Sequence, residues 1–266
     1  MKALRMMSTC MLACSLTLVM FLLAGCQGQP GPATNQPALA DAERLKASGQ
    51  YDEALAVLRR YLDEQPGSAY RSDALVLAGE CEMELRQYEN AQKDFQDAQI
   101  KPRNSAISAR AKFGMGQAAF GWDQYADAIR SYEAALSADK NAIPTAKALQ
   151  KLGFAYIRSG NWTEGRKRLN AVVRSYPGSV EAEQAAEAIR MPDSFELKCG
   201  SFETSLGAER QLKLVKSKGA DARIITTTVK GRTWQTVVSG KYASFADAKS
   251  ASAQMNAQGL TCFVFP

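Results

Sequence analysis

The sequence predicts an all-α repeat solenoid followed by a small α+β domain of βαββαβ order, and three observations carry that reading. Four segments, "GQYDEAL", "RQYENAQ", "DQYADAI" and "GNWTEGR", return at a constant period of 37 residues. Near the C-terminus, residues 197–225 and 237–265 align without gaps at an offset of 40. At 266 residues and 46% hydrophobic content, the chain is long enough to bury a core in each part.

The first residues precede both parts. Lys2 and Arg5 stand before an apolar run, Met11 to Leu23, that ends in small residues, which reads as a secretory signal over 1–25. The run is too short and wrongly flanked for a membrane span. Leu23-Ala24-Gly25-Cys26 resembles a bacterial lipobox, which implies lipidation of Cys26 and anchoring of the mature chain by its acyl groups. Gln27 after the cysteine resembles the pattern of outer-membrane sorting, with inner-membrane anchoring left open. Residues 26–37 have linker composition. Of the six cysteines, Cys81, Cys199 and Cys262 then remain in an oxidising compartment.

Residues 38–191 form the repeat region. Ala54, Ala91, Ala128 and Gly165 hold one position of the period, and Leu58, Phe95, Tyr132 and Leu169 hold another. Gly79, Gly116 and Gly153 precede the loop aromatics Tyr88, Tyr125 and Trp162, while Ala98, Ala135 and Val172 recur in the second helices. Small residues let two antiparallel helices approach closely, and each hairpin leaves an apolar face for the next to cover. Pro66 and Pro177 stop second helices, and 179–190 reads as a closing helix over the last unit. The loop and second-helix aromatics read as packing between helices. These positions resemble the tetratricopeptide repeat (TPR), with three residues more than its usual period. The resemblance implies a concave groove that holds a segment of an unknown protein partner.

Residues 192–266 form the second part. Each matched half reads strand, Gly-x-aromatic turn, helix, glycine stop, strand, pairing Gly200 with Gly240, Phe202 with Tyr242, Ala208 with Ala248 and Gly219 with Gly259. A hairpin at Lys230-Gly231 joins the halves into one four-stranded sheet with both helices on one face. Alternation turns Phe195, Leu197, Cys199, Val237, Cys262 and Val264 toward the helices. It turns Glu196, Lys198, Trp234, Thr236, Val238, Phe263 and Phe265 away, onto a face expected to be uncovered. Cys199 and Cys262 fall on neighbouring strands on the helix side, where they either form a disulfide or remain two buried thiols.

"FELKCGSF", "GRTWQTVVSGKYAS" and "GLTCFVF" resemble the SPOR (sporulation-related repeat) domain over its whole length. The chain as a whole is thus expected to be an all-α TPR solenoid followed by a small α+β, ferredoxin/RNP-like SPOR domain. That resemblance implies binding of peptidoglycan, notably glycan strands stripped of stem peptides, on the open sheet face. Carried over by position, the glycan-binding residues are Glu196, Lys198, Trp234, Thr236 and Val238, with the turn residues Ser201 and Lys241 nearby. The sequence departs from the family at Gln235 and Thr236, where an aromatic and an arginine are common, at Lys241 for a proline, and at Lys198 for a glutamine.

The chain contains no histidine. Ser-His and Cys-His nucleophiles and histidine metal sites are therefore excluded, no phosphate loop is present, and no cofactor or metal is expected. The net charge of +6 lies in Lys2, Arg5 and residues 192–266, the repeat region being balanced. Nucleic acid is not an expected partner. Two non-enzymatic readings stay open: a peptidoglycan-binding envelope lipoprotein with a role in cell division or envelope organisation, and a TPR-driven assembly adaptor with weak or no glycan binding.

Overall fold

The computed structural model describes residues 36–229 and 231–265. The signal segment, Cys26, most of the linker and Lys230 of the hairpin lie outside the described residues. Among the described residues the repeat region is built from paired helices: α1 (Pro37–Ala47) with α2 (Tyr51–Glu64), α3 (Arg71–Glu84) with α4 (Tyr88–Ile100), α5 (Ser105–Gly121) with α6 (Tyr125–Asp139), and α7 (Thr145–Arg158) with α8 (Trp162–Ser175). A single helix, α9 (Val180–Ile189), follows. Its first turn is capped by Ser179, whose side chain accepts from the Ala182 amide.

The periodic small and large residues meet as one device. A Cβ on Gly79 would come within 2.7 Å of the Phe95 ring, and Gly116 and Gly153 stand in the same relation to Tyr132 and Leu169. The last three hairpins therefore close by laying a large side chain of the second helix onto a bare backbone of the first, while the first hairpin has Ala42 at that position. Leu58, Phe95, Tyr132 and Leu169 are all fully buried, as are Ala54, Ala91 and Ala128. Gly114 adds a second bare surface against Phe95, which is thereby held between α3 and α5.

The C-terminal part runs β1 (Phe195–Phe202), α10 (Ser205–Ser217), β2 (Ala222–Val229), β3 (Arg232–Tyr242), α11 (Phe245–Ala257) and β4 (Phe263–Phe265). The sheet is antiparallel in the order β2-β3-β1-β4. Both helices start alike: Thr204 accepts from the Gly207 amide and Ser244 from the Asp247 amide, positions again 40 residues apart. The Gly-x-aromatic turns have a specific cause. Gly200 and Gly240 take φ values of +143° and +69°, and the rings of Phe202 and Tyr242 fold back to where their Cβ atoms would stand. Cys199 and Cys262 are joined in a disulfide that ties β1 to the segment entering β4.

The closing helix α9 does not end the apolar core. One cluster runs from Ile157, Trp162 and Leu169 through Ala182, Ala185 and Ala188 into Phe195, Leu197, Val237 and Ala248 of the sheet domain. Trp162 and Tyr125, expected to pack only between helices, also reach across this junction. The Trp162 indole donates to the Ala243 carbonyl at 2.8 Å and its ring lies 5.0 Å from that of Phe195. Phe245 packs edge-on against Tyr125 and under the Arg158 guanidinium, 4.0 Å from its ring centre. Lys249 pairs with Asp123 at 2.7 Å. Burial raises the Asp123 carboxyl, but hydrogen bonds from Lys249 and Tyr125 outweigh it and hold the group below the usual range.

Candidate functional site

The sheet face turned away from α10 and α11 is assembled from all four strands. In register, Arg223 of β2 lies opposite Val238 of β3, Val238 opposite Lys198 of β1, and Lys198 opposite Phe263 of β4. Two residues further along, Ile225 pairs with Thr236, and Thr236 with Ser201 across an irregularity in β1. Trp234 lies opposite Thr227 at the end of the row. The centre is a chain of hydroxyls, with Thr236 Oγ1 at 2.8 Å from both Ser201 Oγ and Thr227 Oγ1.

Of the residues carried over from the family, the strands bring Glu196, Lys198, Ser201, Trp234, Thr236 and Val238 onto this face, while Lys241 is exposed near the end of β3. The expectation of an uncovered surface fails at three of them. Thr236 and Val238 are fully buried, because β3 is an inner strand whose side chains are flanked on both sides by those of β2 and β1. Glu196 is 7% exposed and its carboxylate is occupied by Arg223 Nη2 at 2.7 and 2.9 Å. The accessible part of the face is therefore Arg223, Lys198, Ser201, half-buried Trp234, and Phe263, which is 64% exposed. Arg223, Ile225 and Thr227 were missed by sequence reasoning, which placed residues of β1, β3 and β4 on this face but none of β2. Alternation along "ARIITTTV" was the signal that places them.

A second candidate surface lies on the inner side of the helical array. A cleft of about 460 Å³ is lined by first-helix residues, among them Lys46, Glu80, Met83, Arg110, Phe113 and Lys147. Arg110 donates to Glu80 at 2.8 and 3.1 Å and Lys46 to its other oxygen, tying α1, α3 and α5 together. Burial acts to raise the Glu80 carboxyl, yet Arg110 and Lys46 together hold it below its ordinary value. The cleft is lined by both charged and apolar side chains.

Among the described residues no cluster of three or more metal-ligating side chains occurs, and no helix is long and apolar enough to cross a membrane. Family models described as tetratricopeptide repeat match residues 39–106, 109–141 and 147–179, and the model described as SPOR domain matches 191–266. No curated protein matches the sequence. Solved structures similar to the chain include a MamA protein at 18% identity and TM-score 0.47, over 68% of this chain and 92% of that one. Another is MamA from Desulfovibrio magneticus RS-1, at 23% identity and TM-score 0.45, over 53% and 77%. A third is YrrB, titled a TPR protein with an unusual peptide-binding site, at 19% and 0.45, over 58% and 78%. TPR and SPOR domains are binding modules, without a catalytic domain. The SPOR domain implies peptidoglycan binding and a place in the cell envelope, and the repeats imply protein–protein interactions. The chain is thus a tetratricopeptide-repeat array over 39–179 that ends in a SPOR domain.

Proposed function

We propose that the protein is a non-enzymatic envelope lipoprotein, anchored through Cys26 to the outer membrane on its periplasmic side. Its SPOR domain binds peptidoglycan glycan strands on the outer sheet face, and its repeat array holds a protein segment in the inner cleft. Such a molecule links the wall to a protein partner in cell division or envelope organisation. The observation that carries this reading is the direction of docking: the array contacts the SPOR domain through Phe195, Ala243, Phe245 and Lys249. None of these belongs to the Lys198, Ser201 and Trp234 surface, so that surface stays available to an extended polymer. Sugar rings present C–H faces to Trp234 and Phe263 and hydroxyls to Ser201.

Retention of residues 36–266 on purified sacculi, before and after amidase removal of stem peptides, tests the proposal. Trp234→Ala should weaken retention about tenfold with unchanged circular dichroism. Retention by neither preparation would instead support the adaptor reading, which is favoured by the complete burial of Thr236 and Val238.

A further inference from the structure

The outer sheet face carries two cations on either side of one buried apolar residue. Arg223, Val238 and Lys198 occupy a single cross-strand row on three adjacent strands. Strand spacing puts the backbones of Arg223 and Lys198 about 10 Å apart, close enough for both side chains to reach one small anion above Val238. Arg223 is half exposed, whereas the carboxylate that orients it, Glu196, is almost completely buried. Only Nη2 of the guanidinium is engaged by Glu196. Among the described residues its Nε and Nη1 and the Lys198 ammonium have no hydrogen-bond or ion-pair partner. Nη2 belongs to both two-donor edges of the guanidinium, so Glu196 orients the group and leaves Nε and Nη1 as single donors, one of which can share a second carboxylate with the Lys198 ammonium.

We propose that Arg223 and Lys198 form a seat for the lactyl carboxylate of muramic acid, with Glu196 as a positioning residue that presents the guanidinium. The inference rests on the glycan-binding reading above and names the group that the face selects. That carboxylate is free only after the stem peptide has been removed, since in intact peptidoglycan it is consumed in an amide bond. Discrimination between stripped and peptide-bearing strands then resides in the Arg223–Lys198 row, while Trp234 and Phe263 contribute to any glycan alike.

The test compares residues 36–266 on three probes: amidase-stripped glycan strands, the same strands with their carboxylates converted to methylamides, and strands with stem peptides intact. Wild type should bind the stripped strands about tenfold more tightly than the methylamides, the effect of losing one charge-assisted contact. Arg223→Gln alone leaves Glu196 buried and unpaired, so the variant to use is Arg223→Gln/Glu196→Gln, which removes both partners. It should lose most of the preference for stripped over methylamidated strands, with Lys198 keeping the remainder, and Arg223→Lys should lose less of it. Glu196→Gln, with Arg223 kept, should lower the ratio between the two probes, a change that general loss of stability does not produce. Trp234→Ala should weaken binding to both and keep the ratio. If wild type binds stripped and methylamidated strands equally, the carboxylate seat is overturned while glycan binding stands. If it binds no strand at all, both fail.

Discussion

Arg59 is shared by two buried carboxylates, Glu82 at 2.5 Å and Asp94 at 2.8 Å, between α2, α3 and α4. Burial raises the Glu82 carboxyl from 4.5 to about 7, Asp94 adds to the rise, and Arg59 only partly opposes it. Burial raises Asp94 as well. In the window between 4.5 and about 7 the folded protein keeps the Glu82 proton that the unfolded chain has lost. Its contribution to stability is therefore full below the window and falls as pH rises through it. Glu82→Gln mimics the protonated state and should remove that fall, gaining about 1 to 3 kcal/mol on wild type at pH 8 and little at pH 5. Urea unfolding of both proteins at the two pH values measures this; a constant difference would refute it. Of the glutamates in "ECEME", helix packing buries Glu82 alone. Cys81 beside it is likewise buried, its thiol pushed up to about 11, and should resist maleimide in the native state while reacting once unfolded.

At the scale of elements, the matched halves of the SPOR domain are legible because each needs the same local chemistry. A hydroxyl cap, a glycine under an aromatic ring and a glycine stop are backbone requirements, and they are met by residue type. The accessibility of the resulting face was not legible. Alternation assigns a side chain to a face but does not say whether neighbouring strands close over it, which is what happens at Thr236 and Val238. Strand β4 is only three residues long, and the Cys199–Cys262 bridge closes a 63-residue loop over the domain. Cys199→Ser/Cys262→Ser should cost about 2 to 5 kcal/mol of stability, seen as a lower urea midpoint for the SPOR transition. An unchanged midpoint would show that strand pairing alone holds β4.

In the whole molecule, the array and the SPOR domain are joined by an apolar junction with few but specific polar contacts. Trp162→Ala/Phe245→Ala removes the indole bond to Ala243 and the ring packed between Tyr125, Phe195 and Arg158. Loss of that contact should split a single thermal transition into two and increase the radius of gyration in small-angle scattering, since truncating a buried ring such as Trp162 costs about 3 to 5 kcal/mol and the partly buried Phe245 adds to it. A transition that stays single, with unchanged dimensions, would mean the junction is held elsewhere. The sequence by itself determined the repeat period, the helix and strand order and the doubled C-terminal unit, because these follow from local spacing of apolar, small and turn residues. Only the tertiary structure decided that Tyr125 and Trp162 serve the domain junction, that Glu196, Thr236 and Val238 of the expected binding face are buried, and that Arg223 stands over it. Those outcomes depend on contacts between residues as much as 126 positions apart, such as Asp123 and Lys249, for which no local pattern exists.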